Sequence, residues 1–243
     1  MRVLAAQLNP VVGDLKGNAT RIVNAIERAR KGGADLVLCP ELALTGYPPE
    51  DLLLLPHFMT AVEKALTGIV SATAGIWAVV GLPRRSLQNT EKPLHNSLAI
   101  LHDGSLVGFV DKILLPTYDV FDEKRYFAPG THAHVWDIAG ERVAFTICED
   151  LWQHSSLIQA TQYQRDPVCE LQSLAPSLLL NASASPYSQG KFRNRLQVCQ
   201  GAAQALQCPV VLCNQVGGND SLLFDGYSLW MQPNGDWQGQ KVL

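Results

Sequence analysis

Short apolar runs rich in β-branched residues recur along the chain at the length of strands, and three longer segments repeat apolar residues with a helical period. The predicted strands are Val3–Leu8, Asp35–Cys39, Ile76–Leu82, Asn96–Leu101, Leu106–Asp111, His134–Ile138, Arg142–Cys148, Ser177–Ala182 and Pro209–Cys213. The predicted helices are Ala19–Lys31, Ala61–Thr73 and Arg193–Gln207. This mixture of the two periods predicts an α/β protein.

The order of these elements narrows the fold class. A β-α-β start gives way to consecutive strands joined by the short turns 102–105 and 139–141, and helices return only later. A Rossmann-type fold alternates strands and helices throughout, so that class is excluded. No GxGxxG or GxxxxGK[ST] segment is present, so nucleotide binding by this chain is not expected. Residues 1–243 contain no repeat or low-complexity linker, and we expect one domain.

Charge and composition exclude several classes of protein. With 19 basic and 22 acidic residues the formal charge is −3, which offers no excess of positive charge for nucleic acid. Apolar residues make up 47% of the chain and charged residues 17%, as in globular proteins with a substantial core. No apolar run approaches the roughly 18 residues of a membrane helix, and no signal-peptide pattern is present. A cytoplasmic protein is therefore expected.

One of the six cysteines differs from the others in its surroundings. The apolar strand 142–147 ends at Cys148, and Glu149 and Asp150 follow at once, as they do at helix N-termini. Such a strand-to-helix turn presents a nucleophile at a sheet edge, close to backbone N–H groups that stabilise an oxyanion. Taken alone, the segment equally fits an inert buried cysteine. The other five cysteines have no CxxC spacing and are interpreted as small buried hydrophobic residues.

Two more polar residues follow apolar strands in the same manner. Glu41 comes after the strand Asp35–Cys39, where a carboxylate can act as a base, and Lys112 ends another strand just before an apolar loop. A lysine that extends its head group to solvent is the alternative for Lys112. Functional groups on the loops at one edge of a rigid sheet produce this arrangement, so the three residues form a candidate Glu-Lys-Cys site.

These residues and their surroundings resemble a known family, the nitrilase or carbon–nitrogen hydrolase superfamily, over essentially the whole chain. Within it, four segments are similar to the glutaminase domain of glutamine-dependent NAD⁺ synthetases. They are Glu41-Leu-Ala-Leu-Thr-Gly-Tyr-Pro-Pro-Glu-Asp-Leu-Leu-Leu, Lys112-Ile-Leu-Leu-Pro-Thr-Tyr-Asp-Val-Phe-Asp-Glu-Lys-Arg-Tyr-Phe, Cys148-Glu-Asp-Leu-Trp and Asn181-Ala-Ser-Ala-Ser-Pro-Tyr.

The resemblance implies hydrolysis of the glutamine side-chain amide through a thioester on Cys148, with Glu41 as the proton carrier. Lys112 and a backbone N–H near Glu149 would stabilise the oxyanion. Glu123 is implied as a second carboxylate that orients Lys112, and a solvated charge run is the alternative. Six further positions match residues that surround glutamine in the family: Tyr47, Tyr118, Glu149, Trp152, Ser185 and Lys191. Loop packing is the alternative for Tyr118 and Trp152, and a surface position at the start of a helix is the alternative for Lys191.

The resemblance also implies a fold and partners. The fold is a four-layer α-β-β-α sandwich of two mixed sheets with helices outside, and such proteins usually form homo-oligomers through their helical layers. The glutaminase domain itself uses no cofactor; ATP, Mg and deamido-NAD⁺ belong to a second, synthetase domain that this chain lacks. We therefore expect an excised domain whose partners are L-glutamine and that synthetase domain, with no role for nucleic acid or membrane.

Three alternatives remain at this point. A free-standing nitrilase-like amidase acting on another small amide would use the same Glu-Lys-Cys residues. A non-catalytic oligomerising or regulatory module would keep the fold alone, although it would have no need of the three residues. A metal protein is disfavoured, because His132 and His134 form the one close histidine pair and alternation along a strand explains their spacing.

Overall fold

The computed structural model describes residues 1–86, 92–155, 157 and 163–241. The strands are β1 (Val3–Ala5), β2 (Leu36–Leu38), β3 (Trp77–Arg85), β4 (Leu94–His102), β5 (Ser105–Asp111), β6 (Val135–Ile138), β7 (Glu141–Ile147), β8 (Leu178–Ser183), β9 (Val210–Asn214), β10 (Val216–Asn219), β11 (Leu222–Met231) and β12 (Trp237–Lys241). The helices are α1 (Leu15–Lys31), α2 (Pro56–Val70), α3 (Pro167–Gln172) and α4 (Lys191–Leu206). Short 3₁₀ turns occupy Glu50–Leu54, Glu123–Arg125, Cys148–Leu151 and Gln153–Ser155.

The strands form two mixed sheets. The first sheet has the order β1-β2-β3-β4-β5, in which β1, β2 and β3 are parallel and β4 is antiparallel to both of its neighbours. The second sheet has the order β10-β11-β9-β8-β7-β6, with β12 also paired to β11. Strands β7, β8 and β9 are parallel, and β6 and β11 flank them antiparallel. The prediction of two mixed sheets is confirmed.

The alternation of side chains along the strands produces four layers. In β2, Leu36 and Leu38 lie in a cluster shared with Phe145 and Leu180 of the second sheet, whereas Val37 lies in a cluster with α1 and α2. On the far side, residues of the second sheet pack against α3 and α4 in a third cluster. Because both faces of the central strands are buried, these strands are continuously apolar. The four-layer sandwich with outer helices is therefore confirmed.

Local chemistry explains where the helices begin and end, and how the boundaries differ from prediction. Helix α1 starts at Leu15, four residues before the predicted start, because the Asp14 carboxylate caps it by accepting a hydrogen bond from Gly17 N. Pro56 stands in the first turn of α2, where a missing N–H costs nothing. Among the described residues, no helix combines the length and the hydrophobicity needed to cross a membrane.

Four elements were not predicted from the sequence. Helix α3 has six residues, too few to repeat a helical period. Strands β10 to β12 were missed because Gly and Asn residues interrupt their hydrophobic pattern, and in β11 the pair Asp225-Gly226 is typical of a turn. The buried Asp225 carboxylate instead pairs with Arg195 of α4 at 2.8 Å. Residues 242–243 lie outside the described residues.

The topology brings several strand ends to one edge of the sandwich. Strands β2 and β5 run in the same direction in the first sheet, so Glu41 and Lys112 follow their carboxyl ends on the same side. In the second sheet, Cys148 and Ser185 follow the carboxyl ends of the parallel strands β7 and β8. The two sheets pack face to face, and these four loops meet where the sheets end. This edge holds the candidate site.

Candidate active site

Cys148 lies at a strained turn directly after β7. Its backbone has a φ of +43°, in the left-handed region that costs a non-glycine residue roughly 1–2 kcal/mol. Asp150 supports the turn, because one of its carboxylate oxygens accepts a hydrogen bond from Ile147 N at 3.0 Å. Its other oxygen accepts from Ile113 N at 3.0 Å and from Leu114 N at 2.7 Å, in the loop after Lys112. One buried carboxylate thus ties the cysteine turn to the lysine loop.

The Lys112 ammonium lies between two buried carboxylates. Its Nζ donates to Glu41 Oε1 and to Glu123 Oε1, each at 2.7 Å. The lysine and Glu41 side chains have no solvent exposure, and Glu123 is 5% exposed. The head group of Lys112 therefore does not extend to solvent, and Glu123 does not belong to a solvated charge run. Two of the three ammonium hydrogens are used by these carboxylates, which leaves one for another acceptor.

Three further groups complete the hydrogen bonds of these carboxylates. The Asn96 side-chain amide donates to Glu41 Oε1 at 2.7 Å and to Glu123 Oε2 at 3.5 Å. Tyr47 donates its hydroxyl proton to Glu123 Oε1 at 3.0 Å. The backbone N–H of Ala184 donates to Glu41 Oε2 at 3.0 Å. We call Glu41, Lys112, Glu123, Asn96 and Tyr47 the acid–lysine centre.

Burial and mutual charge set the protonation of this centre. Burial opposes the charged form of Lys112, but Glu123 and Glu41 outweigh that effect and hold its pKa well above the usual value. Burial raises the pKa of Glu123 to about 7; Lys112 lowers it and Glu41 raises it. Burial, with the charge of Glu41, also raises the pKa of the Cys148 thiol well above its usual value, although Lys112 opposes this. The cysteine is therefore a protonated thiol at rest, and it needs a base to become a nucleophile.

Glu149, the residue after the cysteine, is held by two phenols. Tyr118 contacts both carboxylate oxygens, at 2.9 and 3.0 Å, and Tyr163 donates to Oε1 at 3.2 Å. Burial raises the pKa of Glu149; Lys112, the two phenols and Lys191 each oppose that shift. The two phenols supply hydrogen-bond donors to this carboxylate but no positive charge, so the ammonium group of a ligand can still pair with it.

A cation and an aromatic ring lie on the same side of the site. The Lys191 ammonium stands 4.3 Å from the centre of the Trp152 ring, a cation–π geometry. Burial lowers the pKa of Lys191, and the nearby Arg195 adds to this, while Cys148 and Glu149 oppose it. We call Glu149, Tyr118, Tyr163, Trp152 and Lys191 the recognition face.

Ser185 is placed by a network behind the recognition face. Asn214 accepts a hydrogen bond from Ser185 N at 2.8 Å and donates to Ser185 O at 3.3 Å. The Arg195 guanidinium donates to the same carbonyl at 3.0 Å and lies 3.5 Å from the hydroxyl oxygen. Arg195 is fully buried and is held in turn by Asp225. Ser185, which follows β8, is thus fixed through its main chain.

Eight of the ten site residues predicted from the sequence belong to these two groups. Cys148 interacts electrostatically with members of both groups, and Ser185 is held by its own network. Tyr47 stands in the acid–lysine centre rather than beside Glu149, since its hydroxyl is bonded to Glu123. Lys191 is the first residue of α4, yet it lies over Trp152 instead of facing solvent. The sequence analysis missed five residues that hold the site: Asn96, Asp150, Tyr163, Arg195 and Asn214. Of these, only Asp150 could have been suspected from the sequence. It is the second acidic residue after the cysteine, and a carboxylate there is difficult to bury unless backbone N–H groups donate to it.

Among the described residues there is one group of side chains of metal-ligating type, and the sequence analysis did not identify it. His154 Nδ1, Asp166 Oδ2 and Cys169 Sγ lie within 4.8 Å of one another. The three side chains hydrogen-bond to one another without a metal ion. Asp166 Oδ2 lies 2.9 Å from His154 Nδ1 and 3.1 Å from Cys169 Sγ. Cys169 is exposed, so its interpretation as a buried hydrophobic residue was wrong; Cys39, Cys199, Cys208 and Cys213 are buried.

A four-layer sandwich with a thiol, a lysine and two carboxylates at one edge defines a class of cysteine hydrolase. The family model for carbon-nitrogen hydrolases matches residues 2–240. The chain belongs to the carbon-nitrogen hydrolase family.

Two relatives with higher sequence identity carry the same name. The glutamine-dependent NAD(+) synthetase of Synechocystis sp. is 39% identical over 99% of this chain and 44% of its own length. The solved glutamine-dependent NAD+ synthetase of Acinetobacter baumannii, in complex with ADP, superposes with a TM-score of 0.88 at 33% identity, over 98% of this chain and 43% of that one. The chain therefore spans less than half the length of these relatives.

A more distant structure shares the fold. An amidase from Nesterenkonia sp. superposes with a TM-score of 0.83 over 100% of this chain and 87% of its own, at 22% identity. At that identity the likeness concerns the fold alone.

Proposed function

We propose that this chain hydrolyses the side-chain amide of L-glutamine to glutamate and ammonia through a thioester on Cys148. The observation that carries the proposal is that Cys148 and Glu149 are adjacent, and that the Glu149 carboxylate accepts hydrogen bonds from Tyr118 and Tyr163. A carboxylate at this position binds the α-ammonium of an amino acid while the side-chain amide reaches the thiol. The names of the relatives with 39% and 33% identity support the same substrate.

The recognition face has the charges that a zwitterionic amino acid requires. Glu149 supplies the anion for the α-ammonium, and Lys191 with Ser185 supplies a cation and a hydroxyl for the α-carboxylate. Trp152 supplies an apolar wall for the aliphatic part, and the stacking of Lys191 on its ring limits where the ammonium can move. A small amide without an α-ammonium would leave the buried Glu149 without an ion-pair partner, and this favours glutamine over such amides.

The first half of the reaction forms the thioester. Glu41 takes the proton of the Cys148 thiol as the sulfur attacks the amide carbon, and the electron pair of the C=O bond moves onto oxygen. The remaining hydrogen of the Lys112 ammonium and the N–H of Glu149 stabilise this oxyanion, and one such donor contributes roughly 3–4 kcal/mol. Glu41 then returns its proton to the amide nitrogen, the C–N bond breaks, and ammonia leaves.

The second half releases glutamate. Glu41, again ionised, takes a proton from water as its oxygen attacks the thioester carbon, and Lys112 stabilises the second oxyanion. The C–S bond then breaks, and the sulfur recovers its proton from Glu41. Each proton that leaves the thiol or water passes through Glu41, which is why Lys112 and Asn96 must hold this carboxylate in one place.

The ammonia formed here would serve a second reaction in a separate domain. In the proposed full enzyme, an ATP-dependent synthetase domain uses it to amidate deamido-NAD⁺ to NAD⁺. ATP, Mg and deamido-NAD⁺ belong to that domain, and the glutaminase chemistry needs no cofactor, since its acid, base and nucleophile are side chains. The partners proposed for this chain are therefore L-glutamine and the synthetase domain, in a cytoplasmic homo-oligomer.

The proposal is tested by intact mass after incubation with 6-diazo-5-oxo-norleucine, a glutamine analogue that alkylates an activated thiol. We expect one adduct, which is blocked by free glutamine and absent in Cys148→Ala. The variant Cys169→Ala removes an exposed thiol instead and should retain the adduct. A folded protein that forms no adduct, or forms one that glutamine does not block, would exclude glutamine as the substrate.

A further inference from the structure

Asn96 contacts three members of the acid–lysine centre, although it was not predicted from the sequence. Its amide nitrogen lies 2.7 Å from Glu41 Oε1 and 3.5 Å from Glu123 Oε2. Its backbone carbonyl accepts a hydrogen bond from Lys112 N at 2.8 Å. Only 1% of the residue is exposed. A single residue at the beginning of β4 thus contacts both carboxylates and the backbone of the lysine between them.

The observed orientation of the Asn96 side-chain amide leaves its oxygen atom without a hydrogen bond, which costs free energy. Both hydrogen-bond contacts of the side chain are made by the NH₂ group, and Asn96 Oδ1 is buried without a hydrogen-bond partner among the described residues. A buried acceptor left unpaired costs about 1–3 kcal/mol. Rotating the amide by half a turn would place its oxygen against two carboxylates, which is worse. The carboxylates therefore dictate the orientation, and the amide gives up its own acceptor to supply donors to them.

The Asn96 amide supplies hydrogen bonds to the two carboxylates that no other described group supplies. Glu41 Oε1 is shared by Lys112 and Asn96, so without Asn96 the lysine would be its single donor. For Glu123 Oε2, Asn96 is the one hydrogen-bond partner that the described part of the chain provides, because Lys112 and Tyr47 both contact Oε1. Two carboxylates facing one ammonium repel each other, and the amide bridges them by contacting Glu41 Oε1, which Lys112 also contacts, and Glu123 Oε2, which Lys112 does not contact.

We infer that Asn96 is a positioning residue that holds the Glu41 carboxylate in the orientation of a base for Cys148, by bridging the Glu41 and Glu123 carboxylates. The inference rests on the proposed function for its role in turnover, and on geometry alone for its effect on the thiol. The other charged or titratable groups that face this pair are Lys112, Tyr47 and Cys148, with Glu149 beyond the cysteine. Hydrogen bonds to a carboxylate favour its charged form, so removing them favours protonation.

The test compares Asn96→Leu, which has nearly the same volume but no donor, with Asn96→Asp, which has the same shape but adds a negative charge. The pH dependence of kcat/KM for glutamine is measured for each variant. We expect kcat/KM at neutral pH to fall roughly 100-fold, the scale of general-base catalysis, with KM changed less than about threefold. The acid limb of the profile should move to higher pH in Asn96→Leu and further in Asn96→Asp.

A matched control separates positioning from general stability. Asn18 is also a buried asparagine, and its amide donates to Val11 O and Leu44 O, outside the acid–lysine centre. Asn18→Leu should lower the thermal stability without moving the acid limb. Equal losses of activity in the Asn18 and Asn96 variants, with unshifted pH profiles, would overturn the inference. If neither Asn96 variant folds, Asn96→Ser keeps one donor, and its acid limb must lie above that of the wild type.

A second readout does not depend on glutamine as the substrate. Alkylation of Cys148 by iodoacetamide is followed by peptide mass mapping as a function of pH, because the thiol reacts as its proton passes to Glu41. The Asn96 variants should react at least about tenfold more slowly near neutral pH, a change of about 1.4 kcal/mol in the barrier. If the wild type fails to hydrolyse glutamine but this difference appears, the proposed function fails and the positioning role stands. Unchanged alkylation in both variants would overturn it.

Discussion

The acid–lysine centre and the recognition face lie side by side, and they differ in how their charges are held. In the acid–lysine centre, Lys112 and Glu41 have no solvent exposure, and every charged oxygen has a hydrogen-bond donor. On the recognition face, Tyr118, Tyr163 and Lys191 are half-buried, and the one carboxylate is bonded only to neutral phenols among the contacts described. The first region is complete without a ligand, whereas the second presents charge that a ligand can neutralise.

The difference follows from where the residues lie in the chain. Three members of the acid–lysine centre, Glu41, Asn96 and Lys112, lie in or just after the strands β2, β4 and β5, and the sheet fixes their backbones in place. The recognition face comes from loops after the strands and from the first residue of α4. Proton transfer requires donors and acceptors that do not move, while binding requires groups that substrate can reach. We therefore expect substitutions in the first region to change kcat and stability, and those in the second to change KM.

The largest effect is expected for Lys112→Met. Removing the ammonium leaves Glu41 and Glu123 buried together without their counter-charge, so the free energy of unfolding should fall by about 3 kcal/mol. The oxyanion also loses a donor, so kcat for glutamine hydrolysis should fall by at least roughly 10³-fold. Urea unfolding and steady-state kinetics measure the two effects. Lys64→Met on the exposed face of α2 is the control and should change neither; wild-type turnover in Lys112→Met would contradict the proposed roles.

The next effect concerns Glu149→Gln. Loss of the carboxylate that receives the α-ammonium should raise KM for glutamine roughly 100-fold and change kcat little. Glutaramate, which is glutamine without its α-ammonium, supplies the matched test. The wild type should prefer glutamine to glutaramate, and Glu149→Gln should lose most of that preference. A variant that keeps the full preference would show that Glu149 does not bind the ammonium.

A third prediction concerns the pH dependence of stability. Burial raises the pKa of Glu123 to about 7, above its unfolded value, so the native state holds this proton more tightly. Its contribution is fully present below about pH 4.5 and is lost as the pH rises through 7. Wild-type unfolding free energy should therefore fall between about pH 5 and 8. Burial raises the pKa of Asp150 to about 7 as well, so Glu123→Gln should reduce this slope without removing it.

The measurement is urea unfolding of wild type and Glu123→Gln at several values between pH 5 and 8. Each proton released on unfolding changes the slope by about 1.4 kcal/mol per pH unit at most. Parallel curves for the two proteins would mean that Glu123 does not titrate in this range.

The smallest effect is expected for Tyr163→Phe. The phenol donates one of the three hydrogen-bond contacts to Glu149, and its loss should raise KM for glutamine roughly three- to tenfold. Tyr118→Phe should have a larger effect, because that hydroxyl contacts both oxygens of the carboxylate. Tyr187→Phe, at an exposed tyrosine, is the control and should leave KM unchanged. Equal KM values for all four proteins would show that the phenols do not support Glu149.

The hydrophobic pattern was sufficient for most of the fold. All nine predicted strands are present, with ends within a few residues of the prediction. The buried parallel strands among them are continuously apolar and therefore easy to recognise. The pattern failed for β11, where a buried Asp225 interrupts it. That aspartate is compatible with a strand only because Arg195, thirty positions earlier on α4, lies against it. A single sequence does not reveal such a pair.

The sequence by itself determined which residues stand at strand ends, and with them Glu41, Lys112 and Cys148 together with the family. These positions could be predicted because a polar residue directly after an apolar strand is conspicuous in one dimension. Only the tertiary structure decided what each one faces: that Tyr47 bonds to Glu123, that Asn96 bridges two carboxylates, and that Asp150 joins two loops. Hydrogen bonds and pKa values depend on distances of a few ångströms between residues far apart in the chain, and folding alone sets those distances.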